Sequence, residues 1–414
     1  MVRTGRRTLG GFALLLIAAG VVAGAPVLAA QQPTPLSRDQ AVNAAISRGA
    51  RLAIARADTS LAWGLLLAAG AWENPALIAE YTKSVPRYHV MAELPLNYPG
   101  VRGTRIDAAR AGRTAAQLRF SFERAATALD ADTTYTLALA AQVRARLSRR
   151  NAEYADSLRR MTVTRRDAGD ASDLEVDLAT VYAGQQANIA IEDSLALVST
   201  IFDLQTVIGL PVDSVTVAPT DSLAYPAGDS GAVGGTPLLV AAAEASLESA
   251  VLSSRLQHRS VFAMPSLMFG FETGDPSGGE PGILPTIGIS LPLPLLNQNR
   301  GGIAVAEAER TRAAAVFDLT RLESQAAIAR ARRVRAAALA RVERDRGLVA
   351  SANRVAAMSL TAYREGAASL PSVLEAQRNA RVVQDQYVNG LARAWIAIAT
   401  LRVLTLTENP GPSR

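Results

Sequence analysis

The chain's two histidines, His89 and His258, stand far apart among its 414 residues, and there are six methionines and no cysteine. A nitrogen- or sulfur-ligated metal centre needs several such residues gathered together. Disulfides, thiolate catalysis, zinc–cysteine sites and an acylated N-terminal cysteine anchor are excluded outright. The sequence contains no nucleophile elbow, no phosphate loop and no histidine-bearing catalytic motif. Carboxylates are scattered, and nothing places two of them for acid–base work. The expectation is a protein that is not an enzyme, with no metal site and no cofactor. His89 falls on the inward side of a strand, where it lines a lumen or sits as a solvated surface residue.

The remaining charged cluster is Arg321, Arg330, Arg332, Arg333, Arg335, Arg341, Arg344 and Arg346. A nucleic-acid-binding helix is one reading. Against it stand the interleaved Glu323, Glu343 and Asp345, the lack of stacking aromatics and an export signal at the N-terminus. A solvated or lumen-facing helix surface that influences anion passage fits better, and no nucleic-acid partner is expected.

That export signal is residues 1–30. Arg3, Arg6 and Arg7 precede an apolar run from Leu9 to Val22, and Ala25 to Ala30 offers small residues for processing near Val27-Leu28-Ala29. Gly10, Gly11, Gly20 and Gly24 weaken an uncleaved anchor, and Arg6-Arg7 lacks the residues that usually follow a twin-arginine pair. The signal carries three of the formal +6 charges and no acid, which leaves a mild +3 on the mature chain.

The elements that position these residues repeat. From Thr286 to Leu293, Ile287, Ile289, Leu291 and Leu293 alternate with Thr286, Gly288, Ser290 and Pro292, the period of a strand. Asn297 to Gly302 turns, and a helical run rich in Ala, Arg and Glu follows as far as Gly366. An earlier copy has Tyr88, Val90, Ala92, Leu94 and Leu96 on one face, a turn at Tyr98 to Gly103, then a helix. Arg102-Gly103 and Arg300-Gly301 lie 198 residues apart, and the glycines at the far helix ends, Gly169 and Gly366, lie 197 apart. Such constancy marks an internal duplication.

The organisation predicted is a first repeat over 31–210, with a strand pair at 75–97 and a helical hairpin over 103–209. A linker at 211–235, rich in Pro, Gly, Ser and Asp, is expected on the surface. A second repeat covers 236–407, with strands at 261–294 and a hairpin over 301–407, and a tail covers 408–414. Residues 31–36 read as a flexible lead. Ser37 with Gln40 and Ser172 with Glu175 read as capping boxes, the first opening a helix to about Leu67. Some 65 uninterrupted helical residues span roughly 100 Å, which suggests a coiled coil.

Each strand has about the length of a tilted membrane strand. Four strands cannot close a barrel, and lipid tolerates no open sheet edge. Either the strands form a soluble antiparallel sheet, or several chains pool them. Three chains give twelve, an even number within the outer-membrane range. Trp72, Tyr81, Tyr88 and Tyr98 near the strand ends suit interfacial positions.

The segments LPLPLLNQNRGGIAVAEAE and LPLNYPGVRGTRIDAARA, the tips AGDASDLEVDLA and EGAASLPSVLEAQ, the strand start at Asn74-Pro75 and the duplication together resemble the TolC-type outer membrane efflux proteins. The segment before the second long helix is most similar to the heavy-metal cation efflux branch. The resemblance covers nearly all of the mature chain. It implies a homotrimer in the outer membrane lipid, with a twelve-stranded β-barrel continued by a twelve-helix α-barrel through the periplasm. It also implies docking with a periplasmic adaptor protein and an inner-membrane pump of the resistance-nodulation-division type. Cargo is cations, with drugs or secreted proteins as alternatives. A periplasmic adaptor or structural coiled-coil protein is the rival outside the family.

The resemblance further implies an acidic ring at a periplasmic aperture just after the second tip. Glu375, in the motif VLEA, matches one such acid; Ser372 stands where another is expected. The plain alternative makes Glu375 a first-turn acid favoured by the helix dipole. Gly169, Asp170, Ala171 and Ser172, with Gly366, Ala367, Ala368 and Ser369, match the family's adaptor-docking turns. Ordinary turn chemistry also calls for glycine there.

Overall fold

The computed structural model describes residues 33–96, 100–226, 235–261, 264–275 and 282–407, with Ser277 and Gly279. The export signal, Tyr98, residues 227–234 of the linker and the 408–414 tail lie outside the described residues. The elements run β1 Thr34–Leu36, α1 Arg38–Arg48, α2 Ala50–Gly70, β2 Ala76–Tyr81, β3 Tyr88–Pro95, α3 Val101–Asp167 and α4 Asp173–Ile208. They continue with β4 Val217–Pro219, α5 Leu238–Arg259, β5 Ser266–Thr273, β6 Leu284–Ser290, α6 Arg300–Arg364 and α7 Leu370–Leu404.

α3 and α6 are single helices of 67 and 65 residues. No proline interrupts either, and alanine lines their buried faces, which lets neighbouring helices approach closely. Both begin after a residue in the left-handed region, Gly100 (φ 83°) and Asn299 (φ 56°). This conformation turns the chain from strand to helix, and asparagine is among the few non-glycine residues that tolerate it.

The four long strands form one antiparallel sheet in the order β2-β3-β5-β6, so the hairpins of the two repeats pair directly through β3 and β5. Register places Leu77, Ala92, Phe269 and Ile287 in one cross-strand row, and Leu94, Leu267 and Ile289 in another. This apolar face stands bare: Leu77 is 74% exposed, Ile287 81% and Ile289 76%. The opposite face carries Glu80, His89, Glu93, Thr286 and Ser290.

The helices form a layer with two open edges. α3 packs on α4, α2, α5 and α7, and α6 packs on α5 and α7. One edge is therefore α2 and α4, and the other is α6. The sheet edges connect to the same two sides in the chain, β2 following α2 and β6 preceding α6. Apolar side chains stand exposed along these helices, among them Leu61 and Leu65 on α2, Ile191, Leu195 and Val198 on α4, and Val316, Leu319 and Val355 on α6.

Three expectations are corrected. The first helix does not run unbroken to Leu67: it breaks at Gly49, where backbone from Ala45 approaches so closely that a Cβ would lie 2.3 Å from its carbonyl oxygen. The lead over 31–36 is not flexible where it is described, because Thr34–Leu36 pairs in parallel with Val217–Pro219. Those partner residues belong to the linker, which is not a loose surface loop there. Val217 is buried against Tyr135, Leu139 and Ile208, and Leu223 packs on Val342 and Leu391.

One polar knot holds this region. The Tyr135 hydroxyl donates to Asp221 Oδ2 at 2.6 Å. It accepts from the Thr220 and Asp221 amides at 3.3 Å. Asp221 also accepts from the Arg38 amide at 2.8 Å. Arg38 pairs with Asp132, and its guanidinium lies 4.4 Å from the Trp395 ring centroid and 5.6 Å from that of Tyr135. Burial, with help from Asp221, pushes the Tyr135 hydroxyl above the usual tyrosine range.

Candidate functional site: the hairpin tips

Both tips are built by the same backbone device. At the end of α3, the Asp170 amide donates to the Arg165 carbonyl at 2.8 Å and the Gly169 amide to Arg166 at 2.9 Å. At the end of α6, the Ala367 amide donates to Ala362 at 2.8 Å and the Gly366 amide to Tyr363 at 3.1 Å. This is the Schellman closure, with Gly169 (φ 84°) and Gly366 (φ 76°) in the left-handed position it requires. Gly169, Asp170 and Ser172 are exposed and Ala171 is half-buried; Gly366, Ala367 and Ser369 are exposed and Ala368 is half-buried.

The return helices start differently. Ser172 accepts from the Glu175 amide, and Glu175 reaches back to the Ser172 amide, completing the expected capping box. Ser369 makes no side-chain cap bond. Pro371 occupies the first turn of α7, and the Ser372 hydroxyl donates to the Ser369 carbonyl at 2.7 Å.

A compact cluster joins the hairpins just above the tips. Leu158, Ala179, Tyr363, Leu370 and Val373 are buried together. Arg165 donates to the Tyr363 carbonyl, and its guanidinium lies 4.7 Å from the Tyr363 ring centroid. Thr162 Oγ1 and the Tyr363 hydroxyl lie 3.4 Å apart. The first hairpin thus satisfies a carbonyl at the end of α6, where a cation is also favoured by the helix dipole. Sequence reading singled out neither Arg165 nor Tyr363. Their 198-residue separation leaves no local pattern, and only the duplication, which aligns the two helix ends, hints that they meet.

Glu375 sits in the second turn of α7, 60% exposed at its side chain, with Arg378 Nη1 3.7 Å from Oε2 and Asn379 Nδ2 donating to Oε1 at 3.2 Å. The first-turn dipole explanation is therefore corrected: Pro371 and Ser372 occupy that turn, and Glu375 lies beyond the exposed amides. Its one facing cation is a neighbour on its own helix, so the carboxylate remains open to solvent. Ser372 is also exposed, three residues before it.

Between the hairpins lies a groove of about 370 Å³ lined by Tyr154, Tyr182, Asn353, Gln377, Arg381 and Gln384, among others. Burial raises the Tyr182 hydroxyl above its ordinary range, against the opposing pull of Arg381 and Arg378. Of the arginine cluster, Arg321 pairs with Asp318 at 3.2 Å and Arg341 with the buried Asp345 at 3.3 Å. Arg330 and Arg341 border an apolar groove against α7. His89 lies 3.4 Å from Glu272, and His258 lies 3.1 Å from Glu307. Among the described residues, no group of three or more His, Asp or Glu side chains is gathered to hold a metal ion.

No family model matches the chain. The pyoverdine export outer membrane protein OpmQ of Pseudomonas aeruginosa is 28% identical over 288 residues, which cover 65% of this chain and 59% of OpmQ. The chain thus matches under two thirds of that relative's length. Among solved structures, the outer membrane protein VceC of Vibrio cholerae superposes with a TM-score of 0.76 at 16% identity, covering 89% of this chain and 96% of VceC. CusC superposes with a TM-score of 0.73 at 15% identity, covering 90% and 92%. The resemblance read from the strand, turn and tip segments is thereby shown: this is the fold of the TolC-type outer membrane efflux proteins.

Proposed function

We propose that this chain, built on the fold of the TolC-type outer membrane efflux proteins, is the outer membrane channel of an efflux system and works as a passive trimeric exit duct. The observation that carries the reading is the match between its edges. A four-stranded sheet and a helical layer both end open, and the chain connects their edges on the same two sides, with β2, α2 and α4 at one edge and β6 and α6 at the other. Joining unlike edges makes a head-to-tail contact, and a head-to-tail contact that closes makes a ring. In that ring β6 pairs with β2 of the next copy, and α6 packs on its α2 and α4. Three copies give twelve strands, an even-numbered closed barrel that leaves no edge in lipid. They also give a tunnel of twelve helices.

The same arrangement accounts for the exposed apolar surfaces. Leu77, Phe269, Ile287 and Ile289 face lipid, while Glu80, His89, Glu93 and Thr286 face a wet lumen. α2 is long and apolar enough by composition to cross a membrane. In the ring its bare Leu61 and Leu65 are covered by α6 of the neighbour instead. The protein resides in the outer membrane and extends into the periplasm.

The tips are the end that meets a periplasmic adaptor, which links the duct to an inner-membrane pump of the resistance-nodulation-division type. Small residues at both turns and the groove between the hairpins leave room for another helical hairpin to approach. Glu375 is the aperture residue, and a carboxylate ring at a constriction favours cations. Cations are accordingly the proposed cargo class. The relative's name ties it to pyoverdine export, so organic cargo is the competing class.

Negative-stain imaging of the detergent-extracted protein tests the duct. A three-fold hollow cylinder with a rod of roughly 100 Å, as the helix rise requires, is expected. An elongated single chain that stays soluble without detergent would remove the barrel and leave a structural coiled-coil protein. Single-channel recording tests the aperture: Glu375→Ala weakens cation preference, and unchanged selectivity and conductance would take Glu375 out of the constriction.

A further inference from the structure

The polar face of the sheet holds a row of charge that the duct reading leaves unused. Register sets Glu80, His89 and Glu272 side by side on β2, β3 and β5. The row lies just inside the turn joining β2 to β3, at the end of the sheet away from the helices. His89 Nδ1 is 3.4 Å from Glu272 Oε1, and His89 Nε2 is 3.3 Å from Thr82 Oγ1. The Thr82 hydroxyl has one hydrogen and three partners in reach: the Ser84 carbonyl at 2.9 Å, the Pro86 carbonyl at 3.3 Å and the His89 ring. The Glu272 carboxylate only accepts.

When His89 carries a second proton, a positive charge stands against Glu272. The charged residues on the elements around His89 are Glu80 of β2, Glu272 of β5, Lys83 and Arg87 of the turn, and Asp275 beyond β5. Farther toward the helices on the same face, Glu93 accepts from the Ser266 hydroxyl at 2.5 Å. Among the described strand residues, no lysine or arginine projects from this face.

We infer that His89 makes the outer mouth of the duct a pH-dependent selector, favouring cations above neutrality and less so in acid. The inference rests on the channel reading above. Carboxylates on a narrow wet wall concentrate cations and repel anions. Histidine is the side chain whose ordinary charge change falls between about pH 5 and 8. The chain has two histidines, His89 and His258. One proton per chain offsets one of the wall carboxylates Glu80, Glu93 and Glu272.

The test is the reversal potential of the full-length protein in planar bilayers under a KCl gradient. For the wild type, the cation-to-anion permeability ratio falls by roughly a third from about pH 8 to about pH 5.5, as one new positive charge opposes three carboxylates. His89→Gln abolishes the dependence. His258→Gln, whose imidazole meets Glu307 between α5 and α6, keeps it. Glu272→Gln brings the ratio at about pH 8 down toward the acidic wild-type value. Normal conductance with a pH-independent ratio overturns the inference and leaves the channel standing, as does pH dependence that survives His89→Gln. No conductance from any variant or the wild type overturns the channel reading as well.

Discussion

The two halves of the chain repeat one order of elements at a nearly constant offset, yet they fasten that order with different side chains. The strand-to-helix turn is left-handed in both, through Gly100 in the first half and Asn299 in the second. The end of the preceding helix is then capped in two ways. In the first half, Arg102 and Arg105 reach back from α3 and donate to the Gly70 and Ala69 carbonyls at the end of α2, at 2.6 and 2.9 Å. In the second half, Asn299 itself donates to the Gln257 carbonyl at 2.9 Å near the end of α5. Backbone geometry is what the duplication preserves, because the chain must turn and its terminal carbonyls need donors. Which side chain supplies the donor is free to vary.

The largest contrast is at the middle of the long helices. The first half buries Tyr135 completely, under β1 and the linker. The repeat offset brings the same helical position to Arg333, which is exposed. The first half therefore carries the fastening that ties α1, α3 and the linker to α7. Tyr135→Ala removes a buried ring and one of the two donors to Asp221, and costs about 3–5 kcal/mol. Arg333→Ala stays within about 0.5 kcal/mol. Thermal unfolding of the detergent-solubilised protein measures both, and equal losses would break the assignment of the knot to one half.

The tips reverse the lesson, because there the same residue does the same work twice. Gly169→Ala and Gly366→Ala each force a Cβ into the left-handed region, at about 1–2 kcal/mol. A Cβ at Gly169 would meet open space and one at Gly366 only Arg165 Nη2 at 3.9 Å, an ordinary contact, so sterics with neighbours add little. Similar losses at the two tips, read by denaturant unfolding, sharpen the equivalence. A loss at one tip alone would mean that the other turn relaxes to a different closure.

How much of this was legible in the sequence follows from the range of each interaction. Alternation at Thr286–Ser290, the glycines at both tips and the boxes at Ser37 and Ser172 are local patterns, and each stands where its spacing placed it; the strand stops at Ser290, short of the Leu293 to which the alternation runs. The faces of the strands are equally local, since the pleat alone decides them. The pairing of Thr34–Leu36 with Val217–Pro219 joins two three-residue segments with no periodicity to read. The Tyr135 knot depends on Asp221 lying beside a helix 86 residues earlier in the chain. The break at Gly49 is local, its amide closing α1 on the Ala45 carbonyl, but a single glycine in a helical run costs only about 1 kcal/mol and does not by itself mark a stop. Arg165 and Tyr363 belong with the Tyr135 knot: each is an ordinary helix residue until the two hairpins are brought together.

The smallest test concerns how each return helix begins. Ser172 closes a reciprocal cap with Glu175, so Ser172→Ala costs about 1 kcal/mol. Ser369 accepts nothing at its hydroxyl, so Ser369→Ala changes stability by a few tenths at most. The difference has a physical reading. Four amides open every helix without partners. At the first tip two of the donors there, the Ser172 and Glu175 amides, are answered by side chains. At the second, Pro371 removes one amide, and Ser372 spends its hydroxyl on a carbonyl. The second return helix is the one that carries Glu375 toward the proposed aperture, and it is the one less firmly fastened at its start. Hydrogen exchange at the two helix starts checks this directly: faster exchange at Ser372 and Val373 than at the equivalent Glu175 and Val176 is expected. Equal protection would mean that burial of Leu370 and Val373 already holds the second start as firmly as a cap holds the first.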